Sequence, residues 1–179
     1  AALTSAQKAA PQRSWMPASP ITAKRWLAGA TKTSTPLRSA VLAMPRARRL
    51  QLAFKRIEAG AAEVEMPVLD AFCFRPGQLQ ATAVFAVADF AAVSAAGTLL
   101  PPGWINATID GTLKLLAPAR GTHLRARGRV VDASRLLTIC AAEVYAVDAD
   151  GKEQLCATLL GTARNIDAAA PARPPPSMP

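Results

Sequence analysis

Hydrophobic spacing divides the chain into three stretches. Residues 1–45 show little periodicity and carry prolines at 11, 17, 20, 36 and 45. They are expected to be irregular, with at most a helical turn near Ala23–Ala28. From 46 to 59 the pattern changes: Leu50, Phe54 and Ile57 stand at i, i+4 and i+7, one apolar stripe of an amphipathic helix. Arg46, Arg48, Arg49, Lys55 and Arg56 decorate its other faces, and Gly60 stops it. Such a helix either docks on the domain with its basic face in water or meets anionic lipid or RNA. Next, Val64, Met66 and Val68 alternate with Glu63, Glu65 and Pro67, which predicts a half-buried strand over Ala62–Leu69. Pro67 places that strand at a sheet edge, or itself at the strand's end. A short extended piece over Ala71–Arg75 follows, then a turn at Pro76-Gly77.

Gln78 to about Leu99 reads as one long helix, apolar all round, so other elements must wrap it. Its alanines permit close approach of neighbouring backbone, and Pro101-Pro102-Gly103 ends it. After it come only strands. Asn106–Leu116 places Ile109, Gly111, Leu113 and Leu115 on one face and Thr108, Asp110, Thr112 and Lys114 on the other. Thr122–Asp132 turns Leu124, Ala126, Gly128 and Val130 inward and Arg125, Arg127 and Arg129 outward. Arg135–Val147 is apolar on both faces, as a central strand is. A hairpin turn at Asp148-Ala149-Asp150-Gly151 leads into Lys152–Ile166. Residues 167–179 form a proline-rich tail with no core to join. One curved antiparallel sheet around one apolar helix is an α+β solution for residues 46–166.

Charge sharpens this division. The formal charge is +9, yet residues 1–57 hold eleven Lys or Arg and no acid, while residues 58–179 hold ten bases and twelve acids. The domain is thus nearly neutral, and any nucleic-acid face is confined to the extension. An acid-free segment rich in Arg, Ser and Ala has the composition of an organelle transit peptide. Mitochondrial localisation is the expectation, with the cytoplasm as alternative. Three scattered cysteines, Cys73, Cys140 and Cys156, lack CxxC spacing, so neither a disulfide framework nor a metal site is expected. No nucleotide-binding loop is present, and no cofactor is expected. Leu79–Leu100 is long enough to span a bilayer, but Asp89 at its centre argues for a buried helix in water-soluble surroundings.

Several local segments, in order, resemble the hot-dog superfamily, and within it the PaaI-like acyl-CoA thioesterases. Ala86-Val87-Ala88-Asp89 is similar to the family's Leu-Ala-Asp on the central helix, and Ala107-Thr108-Ile109-Asp110 to the opening of its next strand. Leu115-Leu116-Ala117-Pro118-Ala119 with Gly121 is similar to its turn. Cys140-Ala141-Ala142-Glu143-Val144 and Cys156-Ala157-Thr158 are similar to its last strands. The resemblance implies an edge-to-edge dimer, with the same chain or a sister chain. It also implies Asp89 as nucleophile or base, Thr108 holding the attacking water, and a His-Gly-Gly element at the helix start whose backbone N–H binds the thioester oxygen. Here Gln80-Ala81-Thr82 occupies those positions, so two Cβ atoms stand where a thioester presses. Phe74 replaces an Asn that the family often carries.

Asp89 therefore has two readings, a working carboxylate or a relic bonded to a hydroxyl across the dimer. The stripe of Arg125, Arg127 and Arg129 also has two, a CoA-phosphate clamp or a solvated face paired with Glu143 or another carboxylate. His123, the sole histidine, is expected at the surface or an interface. The loss of the glycines favours an impaired, accessory subunit of a mitochondrial multiprotein complex, a respiratory-chain complex ahead of a ribosome. Residues 1–57 and the tail would contact its other subunits. The alternative is an active acyl-CoA thioesterase using Asp89.

Overall fold

In the computed structural model, residues 34–169 are described. The expected turn near Ala23–Ala28 and most of the tail lie outside them. The main strands are β1 (Ala53–Glu58), β2 (Ala61–Pro67), β5 (Trp104–Leu115), β6 (His123–Ala133), β7 (Leu137–Val147) and β8 (Glu153–Asp167). They form one antiparallel sheet of six, in the order β1-β2-β6-β7-β8-β5, curled around one helix. A small hairpin of β3 (Cys73–Arg75) and β4 (Gln78–Leu79) stands apart and leads into that helix, α3 (Ala81–Gly97). Two further helices, α1 (Ser34–Ala43) and α2 (Pro45–Arg49), precede the sheet.

Helix α3 is wrapped, as its all-round apolarity requires. Val87, Ala88, Ala91, Ala92, Ala95 and Ala96 have no exposed surface. The sheet comes very close at Gly128 of β6. A Cβ built there would collide with the carbonyl group of Ala91 and stand 2.7 Å from the Ala92 nitrogen. Alanine on the helix and glycine on the strand are thus one packing solution. At the helix end, the Thr98 hydroxyl donates to the Ala95 carbonyl at 2.6 Å and accepts from the Gly60 N–H at 2.7 Å. That ties the β1–β2 turn, where Gly60 has φ 74°, to α3.

The order of strands and turns agrees with the pattern of the sequence, with β7 central and Pro67 at the end of β2. Two expectations are corrected. The helix expected over 46–59 is instead α2, a reversal with Gln51 at φ 52°, and β1. A bulge between Phe54 and Arg56 shifts the pairing of β1 with β2. The extra residue puts Phe54 and Ile57 on the same side, three apart, and so a strand imitates helical spacing. Residues 34–43, expected to be irregular, form α1. Pro36 lies in its first turn and Pro45 beyond its end, where proline is tolerated. Among the described residues no helix is long and apolar enough to cross a membrane.

Candidate active site at the α3–β5 contact

Strand β5 lies at a sheet edge and passes beside α3. A bulge between Thr108 and Asp110 interrupts its pairing with β8. Before the bulge the even-numbered side chains face the helix; after it, Gly111 and Leu113 do, while Ile109 stays 57% exposed. Simple alternation over 106–116 therefore places Thr108 on the wrong face; the bulge turns it toward α3, where it stays exposed at the rim of the contact.

Two polar side chains of β5 then meet successive turns of α3. The Thr108 hydroxyl donates to Asp89 Oδ1 at 2.8 Å. Asn106 Nδ2 donates to the Val93 carbonyl at 2.9 Å. Two residues of strand rise about 6.8 Å and four of helix about 6 Å, so the spacings match. Sequence reasoning gives Asn106 no role; its spacing to Thr108, read against Asp89 and Val93, is the available signal.

Asp89 is half-buried. Burial raises its carboxyl above the ordinary value, and the Thr108 hydrogen bond opposes this without cancelling it. The carboxylate opens on a cavity of ≈ 240 Å³ lined by Leu37, Val41, Met44, Phe90, Val93 and Thr108 among others. A second, mostly apolar cavity of ≈ 390 Å³ shares Leu37, Val41, Met44 and Asn106 with it and runs toward Pro101–Trp104. Helix α1 is thus one wall of the site, signalled in sequence only by the i, i+4 spacing of Leu37 and Val41.

The other predicted residues lie elsewhere. Gln80 is the N-cap of α3 and makes no side-chain cap. Ala81 and Thr82 follow, exposed, in the first turn, and their own backbone N–H groups have no partner inside the helix. Asp89 accepts its hydrogen bond from a hydroxyl of its own chain, that of Thr108. Cys140 and Cys156 are buried thiols, pushed up by burial to about 12 and about 11, so neither is a ready nucleophile. Among the described residues no group of His, Cys, Asp and Glu could hold a metal.

The arginine stripe lies on the outer face of the sheet. Arg125 reaches Glu65 at 2.6 Å and Glu153 at 2.6 Å; Arg127 reaches Glu63 at 2.9 Å and Glu153 at 2.8 Å. Arg127 also covers the Tyr145 ring at 4.7 Å. The carboxylates come from β2 and β8. Glu143 instead accepts from the Tyr145 hydroxyl at 2.6 Å. Arg129 is exposed. His123, 26% exposed, joins the same face, with Nε2 3.5 Å from Glu65.

This network has a pH signature. Burial alone would raise the Glu153 and Glu65 carboxyls. The hydrogen bonds from Arg127 and Arg125 to Glu153, and from Lys55 and Arg125 to Glu65, outweigh it and hold both below the ordinary value. A depressed folded-state pKa stabilises above the unfolded value, near 4.5, and that stability is lost as pH falls through the folded value. Glu153→Gln is expected to lower the melting temperature at pH 7 and to flatten its fall between about pH 5 and pH 3. A variant curve parallel to wild type across that window would remove Glu153 from the account.

The chain matches no protein-family model and no curated protein. Among solved structures it is similar to a thioesterase family protein from Silicibacter pomeroyi, at 28% identity and TM-score 0.72, over 75% of this chain and 98% of that one. It is also similar to a phenylacetic acid degradation-related protein from Ralstonia eutropha, at 27% identity and TM-score 0.63, over 73% and 97%. The E. coli PaaI protein of the phenylacetic acid degradation operon shares the fold at 19% identity and TM-score 0.61, over 72% and 88%.

Proposed function

Because the chain belongs to the hot-dog thioesterase superfamily and is PaaI-like, we propose that it is an acyl-thioester hydrolase of low turnover whose site is completed by a second protomer. The observation that carries this reading is the Thr108 hydroxyl, 2.8 Å from Asp89 at the wall of an apolar cavity. A half-buried carboxylate with a raised pKa and an oriented hydroxyl is suited to hold and deprotonate a water, or to attack a carbonyl itself.

The helix start cannot serve the same carbonyl within one chain. Ala81 and Asp89 are eight residues apart, about 12 Å along the axis. A second protomer bringing its own α3 N-terminus to Asp89 resolves this, with the Ala81 or Thr82 N–H as oxyanion donor. The free edge of β5, with Ile105, Ile109, Leu115 and Leu116 each more than half exposed, supports an edge-to-edge partner. Low turnover follows from the two side chains at the helix start. The double variant Ala81→Gly/Thr82→Gly is expected to raise kcat/KM toward acyl-CoA by about tenfold, the scale of one hydrogen bond improved by closer approach. The assay is thiol release over a range of acyl chains. Wild-type and double-variant protein both indistinguishable from buffer would end the hydrolase reading.

The second reading, an accessory subunit of a mitochondrial assembly, rests on the same Ala81 and Thr82 and on the acid-free residues 1–57. Native electrophoresis from the organelle separates the two. Co-migration with a large complex supports the subunit; migration alone as a dimer opposes it.

A further inference from the structure

Where α3 begins, two arginines converge on one neutral atom. Arg75 Nε donates to Gln78 Oε1 at 2.8 Å. Arg120 donates to the same oxygen from Nε at 2.9 Å and from Nη2 at 2.8 Å. Gln78 is only 8% exposed, and its backbone bridges to Arg120, two residues before the N-cap of α3. A carbonyl oxygen has two lone pairs, and Arg120 alone supplies two N–H groups. Satisfying Gln78 therefore does not require Arg75. Bringing a second guanidinium to the same atom places like charges within about 6 Å of one another.

No ion pair within the described residues offsets that charge. Arg125 and Arg127 each meet carboxylates, whereas neither Arg75 nor Arg120 forms an ion pair with a described residue. Each keeps at least three further N–H donors. Beside them, a recess of ≈ 300 Å³ is lined by Asp70, Cys73, Phe74, Arg75 and Pro76. The Phe74 ring is 59% exposed, with the Arg75 guanidinium 5.1 Å from its centroid. Asp70 is the one carboxylate of this recess, and it pairs with no base among the described residues.

We propose that Arg75 and Arg120 form a seat for the phosphate of a nucleotide, with Phe74 offering its ring to the base. Two guanidiniums supply charge-assisted donors in fork geometry. An exposed aromatic beside them accepts a base without sequence-specific contacts. The nucleotide end of CoA and a free nucleotide share this chemistry. The seat binds and does not depend on cleavage at Asp89.

The test is calorimetric titration of the full chain at low salt with CoA, ADP and pantetheine. CoA and ADP are expected to bind, and pantetheine, which lacks the nucleotide, to bind at least about tenfold more weakly than CoA. Arg75→Gln and Arg120→Gln are each expected to weaken CoA and ADP by about tenfold, the loss of one charge-assisted contact. Asp70→Asn is expected to tighten both, since it removes the opposing charge. CoA bound more tightly than ADP identifies the thioester carrier as the source; equal affinities identify a free nucleotide. If Arg120→Gln unfolds because Gln78 loses its donors, Arg75→Gln still reports, since it leaves two donors in place. CoA and ADP affinities unchanged in Arg75→Gln, or lowered equally by Arg129→Gln, overturn the seat.

Discussion

Asp89→Asn is expected to lower acyl-CoA hydrolysis between about 10²- and 10⁴-fold, the range for removing a positioned acid–base group. The fold is expected to survive, because the amide oxygen still accepts from the Thr108 hydroxyl, which lies 2.8 Å from the carboxylate in the wild-type chain. The variant is also expected to melt higher than wild type at pH 7. Burial raises the Asp89 pKa, so its contribution to stability is present below the unfolded value and is lost as pH rises through the folded one. An ionised Asp89 is a cost that a neutral amide does not carry, and this is the usual exchange of stability for a working group. The gain should vanish below about pH 3, where the carboxyl is neutral in both states. Wild-type activity is expected to rise with pH through a midpoint above the ordinary Asp value. Hydrolysis that survives intact in the variant would remove Asp89 from the mechanism, and an unraised melting temperature would contradict the desolvation argument.

Gly128→Ala is expected to cost about 3 kcal/mol or more, at or beyond the upper end of overpacking penalties. The new Cβ would overlap the Ala91 carbonyl group, and that group is helix backbone that cannot change rotamer. Either α3 lifts off the sheet or β6 bends away. Out of a total stability of roughly 5–15 kcal/mol, that is a large fraction. Gly77→Ala is the comparison. Gly77 has φ 68° and nothing within 4 Å of a built Cβ, so its cost is conformational alone, about 1–2 kcal/mol. Urea unfolding of both variants decides. If Gly77→Ala loses as much as Gly128→Ala, the close sheet–helix approach does not govern stability at β6.

Much of the architecture is legible in the chain. The long apolar run with its alanines is α3, and the alternation in β2 and β6 names the inward residues correctly, Val64 and Met66, Leu124, Ala126 and Val130. The hairpin at Asp148–Gly151 is signalled by its own residues: Asp148 Oδ1 accepts from the N–H groups of Asp150 and Lys152, and Gly151 takes φ 78°. The resemblance to hot-dog proteins, carried by short segments in order, agrees with the sheet that wraps α3. The same resemblance points to Asp89 and Thr108, which the fold brings into contact.

The features that sequence reasoning misses have a common cause. Phe54 and Ile57 imitate a helix because of a bulge in β1, and Thr108 reverses face because of a bulge in β5. A bulge is defined by what the partner strand does, so no local window contains it. The carboxylates that hold Arg125 and Arg127 come from β2, some 60 positions earlier, and from β8. Strand register sets Glu65 opposite Arg125 and Glu63 opposite Arg127, while Glu143, equally cross-strand from Arg127, is taken by the Tyr145 hydroxyl. Helix α1 has only a weak periodic signal, and its place beside Asp89 follows from apolar side chains finding the groove left open by α3 and β5. Periodicity, turn chemistry and composition act over a few residues, so they announce α3, the inward faces of β2 and β6 and the Asp148–Gly151 turn, but neither α1 nor β1. Bulge parity, ion-pair partners, the convergence of Arg75 with Arg120, and the cavity beside Asp89 depend on chain segments distant in sequence, and only tertiary packing decided them.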